Sequence, residues 1–167
     1  MTPATVNGLS VDIEDWFQVG AFERVIRRAD WDALEHRFEA NTDRVLALFD
    51  RAGVKGTFFT LGWIGERAPA LLRRIVEAGH ELASHGYDHQ RVFTLEPQQF
   101  AADIARARAT LEDATGVAIA GYRAPSFSID RRTPWAHPIL AEAGYRYSSS
   151  VAPVAHDHYG WRESPRF

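Results

Sequence analysis

Short apolar runs alternate with amphipathic stretches along most of the chain, and this alternation constrains the fold more than any other feature of the sequence. Five of the runs have the length of a strand and are bounded by turn or helix signals. These predicted strands are residues 9–13, 56–61, 80–84, 117–122 and 145–149. Strands that alternate with helices pair in parallel, and the helices pack outside the sheet.

The alternation therefore predicts an α/β fold of parallel strands with outer helices. Five strands fit either an open doubly wound sheet or the first part of a barrel. A full eight-fold barrel typically needs about 250 residues, and this chain has 167. That length suits one domain with a hydrophobic core.

Four stretches combine apolar residues at helical spacing with residues typical of helix ends. We expect Asn41-Thr-Asp to cap the first helix, which Gly53 ends. Asp130 or Ser128 is the expected cap of the last helix, which Gly144 ends. The second helix is expected to begin at Pro69 and to end at Gly79. The third is expected to begin near Thr94 to Pro97 and to end at Gly116.

Residues 16–38 form a long connection in which aromatic side chains are interspersed with charged ones. We expect this connection to contain some helix. Its aromatic residues are Trp16, Phe17, Phe22, Trp31 and Phe38. Most of these rings are expected to pack in the core, and the alternative is a groove in which they stack on a ligand.

The composition argues against several classes of protein. The chain has no cysteine, which excludes disulfides, thiolate zinc sites and a cysteine nucleophile. A formal net charge of -3 without a basic run argues against nucleic acid as a partner. No apolar run approaches the roughly 18 residues of a membrane span, and no signal peptide is visible, so we expect a cytoplasmic protein. The sequence does not indicate an oligomeric state.

His85 and His89 lie four residues apart, at and beyond the end of the third predicted strand. Two imidazoles at this spacing reach one metal ion if the backbone between them curls by about one turn. Gly86 disfavours a helix through the pair, which distinguishes it from the helical two-histidine motif of metalloproteases. Without a carboxylate from elsewhere in the chain, a pair of solvated loop histidines is the preferred interpretation.

Carboxylates crowd around the end of the first predicted strand. Alternation along a strand puts Asp12 and Glu14 on one face and Asp15 on the other. A solvated strand end, or Asp15 as a helix cap, is the alternative interpretation. Arg123 ends the fourth predicted strand and is available to pair with a carboxylate or to form a surface salt bridge.

These three clusters are expected to meet, because the carboxyl ends of parallel strands lie on one face of an α/β fold. One carboxylate and two neutral imidazoles form a three-ligand set for a divalent metal and leave positions for water. Charged groups that converge on one mouth are rarely there for stability. The sequence therefore predicts a metal site at this face.

Four segments resemble the polysaccharide deacetylases, the NodB-type homology domain of carbohydrate esterase family four. These segments are residues 10–19, 57–63, 78–89 and 121–128. Within that family, the motifs are most similar to the subgroup associated with exosortase and exopolysaccharide gene clusters. The resemblance covers nearly the whole chain. It implies one domain, residues 1–167, that forms the N-terminal part of a distorted barrel of about seven strands and is incomplete at its C-terminus.

The resemblance also implies an activity. A metal-dependent hydrolase of this family removes N-acetyl groups from an amino-sugar polysaccharide, with Zn²⁺ as the expected cofactor and an N-acetylated polysaccharide or oligosaccharide as the partner. It thus acts on carbon–nitrogen bonds that are not peptide bonds. Two alternatives remain: hydrolysis of small non-peptide amides on the same fold, and a truncated, non-catalytic module that binds a metal or a glycan.

Site roles follow from the resemblance by position. Asp12 resembles the general base, Arg123 the arginine that holds this base, and His85 and His89 the two metal histidines. The commonest family pattern has two adjacent aspartates, whereas Ile13 follows Asp12 here. The expected metal carboxylate is therefore Glu14, with Asp15 in reserve.

Two departures from the family pattern concern the same face. Gly86 replaces the Ser or Thr that usually follows the first histidine, and Ser126 replaces the aromatic residue that usually follows the motif proline. A backbone N–H near Ser126 is expected to face the oxyanion. The family's later motifs, which include a histidine general acid, have no counterpart here, since neither His156 nor His158 has a matching context. Without this acid we expect metal binding with weak or no turnover.

Overall fold

One parallel sheet organises the computed structural model, which describes residues 7–156 and 159–164. Its five strands lie side by side in the order of the sequence. They are β1 Ser10–Ile13, β2 Thr57–Thr60, β3 Glu81–Ser84, β4 Gly121–Tyr122 and β5 Tyr147–Ser148. All five predicted strands are confirmed, although each is shorter than predicted. In the fourth, the Ile119 N–H donates to the Glu112 carboxylate and not to a neighbouring strand.

The strand order decides between the two predicted architectures. A doubly wound sheet reverses its strand order at a switch point, whereas this sheet runs in one direction throughout. Right-handed crossovers that always advance in one direction place the connecting helices on one face of the sheet, as in a barrel. The prediction of the N-terminal part of a distorted barrel with outer helices is thereby confirmed.

Five α-helices of the described residues lie between consecutive strands. They are α1 Phe38–Ala52, α2 Gly62–Arg67, α3 Pro69–Glu77, α4 Pro97–Thr115 and α5 Ala136–Glu142. The sequence pattern indicated all of them except α2, because six residues are too few to display a helical period. Single-turn 3₁₀ helices lie at Gly20–Phe22, Val92–Thr94 and Pro125–Phe127, and a longer one lies at Arg28–Ala33. In the part of the chain described here, no helix has both the length and the apolar composition needed to cross a bilayer.

The predicted cap of α1 is wrong. The helix begins at Phe38, three residues before Asn41. Its terminal N–H groups are bound by a distant carboxylate instead: Asp15 Oδ2 accepts from Arg37 N at 2.7 Å and from Phe38 N at 3.3 Å. A carboxylate satisfies these unpaired donors wherever it lies in the sequence. Asp15, with an exposed fraction of 2%, is therefore a buried helix cap, and the alternative interpretation of this residue as a cap is confirmed.

The predicted cap of α5 is also wrong, because this helix begins only at Ala136. Asp130 instead accepts the backbone N–H of Arg132 at 2.8 Å and pairs with the guanidinium of the same residue. Ser128 Oγ accepts the N–H of Val92 at 2.9 Å. Both side chains thus stabilise the loop that precedes the helix.

The two faces of the sheet have different chemistry. On the helix side, Phe58, Leu82 and Tyr122 are buried in the hydrophobic core. On the opposite face, Asp12 aligns with Phe59 of β2, and Phe59 aligns with Ala83 of β3. Each fully buried large apolar side chain contributes about 1.5–3 kcal/mol, so the helix-side packing fixes which residues point to the other face.

The aromatic connection before α1 packs largely as expected. Phe17, Trp31 and Phe38 are buried, and the Trp31 ring lies edge-on to Trp63 with centroids 5.6 Å apart. Trp16 is about one-third exposed. Core packing is therefore confirmed for most of these rings. The helix expected in this connection is 3₁₀ helix, at Gly20–Phe22 and Arg28–Ala33.

The cap of α1 yields a first prediction. Asp15→Ala removes the acceptor of the helix N-terminus and should lower the free energy of unfolding by about 2 kcal/mol in urea titrations. Asp30→Ala, at an exposed ion pair with Arg27, is the matched control and should change the free energy of unfolding far less than Asp15→Ala does. Zinc affinity of folded Asp15→Ala should stay at the wild-type value. A stable variant that has lost zinc would instead make Asp15 the metal carboxylate.

Candidate metal centre

Three potential metal ligands meet at the carboxyl edge of the sheet. The ligand atoms of Glu14, His85 and His89 all lie within 4.8 Å of one another. His89 Nε2 is 2.6 Å from Glu14 Oε2, and His85 Nε2 is 3.9 Å from the same oxygen. Glu14 follows β1 and His85 follows β3, so the parallel sheet brings together residues that are distant in sequence.

The loop that carries the histidines is held from two sides. Gly86 O and Tyr87 O accept the N–H groups of Gly62 and Trp63, each at 2.9 Å. These donors lie at the N-terminus of α2, where N–H groups have no partner within the helix. From the other side, Asp103 of α4 accepts the Tyr87 N–H at 3.2 Å. The loop therefore has little freedom to move the imidazoles.

Backbone conformation in this loop explains the departure at position 86. Gly86 has a φ of +78°, a region that disfavours residues with a Cβ, and a Cβ there would lie 3.0 Å from Asp103 Oδ2. His89 also has a positive φ, of 60°. The sequence prediction of a non-helical loop through the pair is confirmed.

A hydrogen bond fixes the tautomer of His85. Its Nδ1 lies 2.8 Å from Arg123 O, and because a carbonyl only accepts, Nδ1 carries the proton. Nε2 is then the lone-pair nitrogen on the Glu14 side, as a metal ligand requires. His85 has an exposed fraction of 2%, and burial lowers its pKa, which favours the neutral, ligating form.

Glu14 supplies the negative charge of the group. Burial by itself acts to raise the pKa of Glu14, but the closeness of His89 and His85 outweighs it and leaves this pKa below its usual value. Among the described residues, no donor satisfies Glu14 Oε2 by hydrogen-bond geometry, although the atom is buried. A buried carboxylate oxygen and two imidazole nitrogens match the donor set of three-ligand zinc sites.

A second carboxylate lies beside this group. Asp12 Oδ1 accepts from Arg123 Nη1 at 2.6 Å, and Asp12 Oδ2 lies 4.0 Å from His85 Nε2. Arg123 Nη2 donates to Ser10 Oγ and Ser149 Oγ, each at 2.9 Å. One oxygen of Asp12 is therefore held, and the other faces the three ligands.

Sequence reasoning missed the two serines that anchor Arg123. Ser10 stands two residues before Asp12 on β1, so the alternation of side chains would have placed both on one face. Ser149 follows β5 and had no signal of its own. The Arg123 guanidinium also lies 4.0 Å above the Phe59 ring, which restricts it further.

The turn after Arg123 is strained. Ser126 and Phe127 have φ values of 54° and 48°, which non-glycine residues rarely adopt. The turn's own hydrogen bonds run from Phe127 N to Ala124 O and from Ser128 N to Pro125 O. The Ser126 N–H is not used in these bonds. Phe127 lies 5.4 Å from the Arg123 guanidinium, so the turn adjoins the site.

Asp103 is a further residue that the sequence did not indicate. Burial, and then the nearby Asp88 carboxylate, raise its pKa to about 7, although the Tyr87 N–H acts in the opposite direction. Its pKa is therefore higher in the folded than in the unfolded chain. Protonated Asp103 therefore stabilises the folded state. This stabilisation is complete below about pH 4, where the unfolded chain is also protonated, and it is lost as the pH rises through 7.

This linkage gives a second prediction. Asp103→Asn keeps an oxygen acceptor for Tyr87 but has no proton to lose. Relative to wild type, it should become progressively more stable between pH 4 and pH 7, by up to about 1.4 kcal/mol per pH unit, in urea titrations at several pH values. Asp113→Asn, at an exposed position of α4, is the matched control with a small expected effect. A constant difference between Asp103→Asn and wild type would contradict the linkage.

The three-ligand group gives a third prediction. His85→Ala and His89→Ala should each lower zinc affinity by about 100-fold or more, as measured by competition with a chromophoric chelator. His137→Ala, on the exposed side of α5, should bind one zinc ion like wild type. Wild-type affinity in either site variant would exclude that histidine as a ligand.

Two curated relatives share the sequence over much of this chain. A peptidoglycan deacetylase-like protein of Gibberella zeae is 31% identical over 149 residues, which are 86% of this chain and 43% of that protein. The peptidoglycan deacetylase of Helicobacter pylori is 29% identical over 68% of this chain and 38% of its own length. The chain thus spans less than half the length of these relatives.

The fold is shared with a solved structure from Mycobacterium smegmatis that was assigned as a polysaccharide deacetylase. That structure has a TM-score of 0.70 and 28% identity, and the match covers 87% of this chain and 50% of that one. The family model of the polysaccharide deacetylases matches residues 30–148, well over half of the chain. This stretch includes both histidines and Arg123 but begins after β1. The chain belongs to the polysaccharide deacetylase family.

Proposed function

We propose that the protein is a metal-dependent hydrolase that removes N-acetyl groups from an amino-sugar polysaccharide. One observation carries this proposal: the Asp12 carboxylate, held by Arg123, lies 4.0 Å from His85 at the margin of the three-ligand group. A fixed carboxylate next to a metal set is the arrangement that metal-assisted hydrolysis needs. The names of the curated relatives support an N-acetylated glycan as the substrate.

In this proposal Glu14, His85 and His89 hold a divalent cation, and Zn²⁺ suits their nitrogen and oxygen atoms. When bound, the cation supplies Lewis-acid activation of water and of the acetyl carbonyl. The hydrogen bond from His85 to Arg123 O keeps one ligand in its orientation. The same carbonyl belongs to the arginine that holds Asp12, so base and ligand are positioned by one residue.

Asp12 is the proposed general base. Its Oδ2 accepts a proton of the attacking water, while Oδ1 stays on Arg123. As the C–N bond breaks, the leaving amine takes a proton from this carboxylic acid or from bulk water. Proton transfer by a positioned base typically contributes about a hundredfold to ten-thousandfold in rate. Arg123 acts as a positioning residue, because its serine contacts and the Phe59 ring leave it one orientation.

The backbone N–H of Ser126 is the proposed oxyanion donor. Its turn adjoins Arg123, and its N–H takes no part in the hydrogen bonds of the turn. Strain in such a turn is consistent with a donor held in place before the substrate arrives. Exopolysaccharide as the specific glycan completes the proposal on the basis of the sequence motifs alone.

The base assignment gives a fourth prediction. Asp12→Asn should abolish any acetate release that wild type shows on N-acetylated chitooligosaccharides, with a loss of about a hundredfold or more, whereas its zinc affinity should stay within a few-fold of wild type. Asp50→Asn, an exposed position of α1, is the matched control and should retain full activity.

Three outcomes would change the assignment. Full activity of Asp12→Asn would exclude Asp12 as the base. Turnover of small amides without turnover of acetylated oligosaccharides would favour the small-amide alternative. Stoichiometric zinc binding without acetate release from any substrate would favour a non-catalytic module.

A further inference from the structure

A cavity of about 130 Å³ lies beside the candidate metal centre. Its walls come from the aromatic connection before α1 and from the loop that follows the histidine pair. His89 lines this cavity, whereas Asp12 and Arg123 do not. The cavity is therefore next to the place where an acetyl group would meet Asp12, but is separate from it. We call it the Gln18 pocket, after the residue whose side chain forms part of its wall.

Two buried donors of the pocket have no partner within the described part of the protein. Gln18 and Trp31 both line the pocket, and each has an exposed fraction of 4%. Gln18 Nε2 and Trp31 Nε1 make no hydrogen bond to any described residue. A buried donor without an acceptor typically costs about 1–3 kcal/mol. Such groups in a native structure call for a ligand or another explanation.

The orientation of the Gln18 amide is fixed by its other end. Gln18 Oε1 accepts the Asp15 N–H at 2.7 Å, and because a backbone N–H only donates, this atom is the oxygen. The remaining amide atom is the NH₂ group. The unpartnered groups of this wall are therefore hydrogen-bond donors.

Two arginines that line the pocket contribute further N–H donors. Arg91 lines the pocket and pairs with Glu23 through Nη2, while its buried Nε has no partner among the described residues. Arg28 lines the pocket as well, and its ion pair with Asp88 spans 3.1 Å. The residues that line the pocket thus include one carboxylate, Glu23, and carry amide, indole and guanidinium N–H groups, of which Gln18 Nε2, Trp31 Nε1 and Arg91 Nε have no acceptor among the described residues.

We propose that the Gln18 pocket is a subsite for an acceptor oxygen of the sugar next to the one that is deacetylated. This oxygen belongs to an acetamido carbonyl or to a uronate carboxylate. The volume admits about four waters, at roughly 30 Å³ each, which suits a substituent of a sugar ring more than a whole ring. The inference rests on the proposed function and adds a specificity-determining contact to it.

Gln18→Glu tests the subsite. The variant keeps an oxygen for the Asp15 N–H and the shape of the side chain, but it replaces the free NH₂ by an oxygen that repels an acceptor. We expect KM for N-acetylated chitooligosaccharides to rise about tenfold or more, with kcat and zinc affinity unchanged. Turnover of N-acetylglucosamine, which has no neighbouring sugar, should not change.

The control is Gln99→Glu in α4. Gln99 is exposed, and its Oε1 accepts the N–H of Glu96 at 2.8 Å, so the substitution makes the same chemical change at the same type of contact. Its KM should equal that of wild type. Trp31→Phe keeps an aromatic ring without the N–H and should raise KM in the same way as Gln18→Glu. If Gln18→Glu does not fold, Trp31→Phe decides alone.

Three oligosaccharides distinguish the source of the oxygen. They carry, next to the reactive sugar, N-acetylglucosamine, a uronate or unsubstituted glucosamine. Wild type should bind one of the first two about tenfold more tightly than the third, and Gln18→Glu should lose this preference. Calorimetric binding without zinc provides the same comparison independently of turnover.

The two proposals fail in different ways. Equal affinity of wild type and both variants for all three oligosaccharides would overturn the subsite, whether or not acetate is released. Selective binding that depends on Gln18, in a protein that releases no acetate, would keep the subsite and overturn the proposed hydrolase.

Discussion

The parallel register of the first three strands is the constraint on which the site depends. This register aligns Asp12 of β1 with Phe59 of β2. The same pattern of backbone hydrogen bonds continues one residue beyond β3, where the His85 N–H donates to Thr60 O at 2.9 Å. The N–H of Arg123 then donates to Ser84 O at 2.8 Å. A slip by one residue would turn each side chain to the other face. Helix packing against Phe58 prevents that slip, so the hydrophobic core also holds the chemistry in place.

Sequence reasoning predicted those parts of the molecule that short-range patterns determine. The alternation of apolar runs indicated the five strands, and the four-residue spacing indicated the histidine pair. Gly86 indicated that the loop between the histidines is not helical. Sequence reasoning failed where a distant residue replaced a local one: the buried Asp15 caps α1 in place of the sequence-local Asn41. Asp103 was missed for the same reason, because its role depends on a loop 16 residues away.

Arg123 combines a structural and a chemical task. Its backbone carbonyl orients one imidazole, while its side chain holds a carboxylate on another strand. An ion pair that is mostly buried is stable only if its remaining donors are also hydrogen-bonded. The Arg123 guanidinium meets this condition, because it donates to two serine hydroxyls and lies over the Phe59 ring. The neighbouring strained turn at Ser126 fits the general finding that such conformations persist where the surroundings enforce them.

β1 carries Asp12, Glu14 follows it directly, and among the described strands β1 pairs with β2 alone. An edge strand pairs through its backbone on one side only, so contacts made by its side chains add to what holds it in the sheet. Arg123, which directly follows β4, donates hydrogen bonds to Asp12 and Ser10 of β1. These bonds join the edge strand to the other side of the sheet. Arg123 thus ties the strand that supplies the carboxylates to the histidine that its own carbonyl orients.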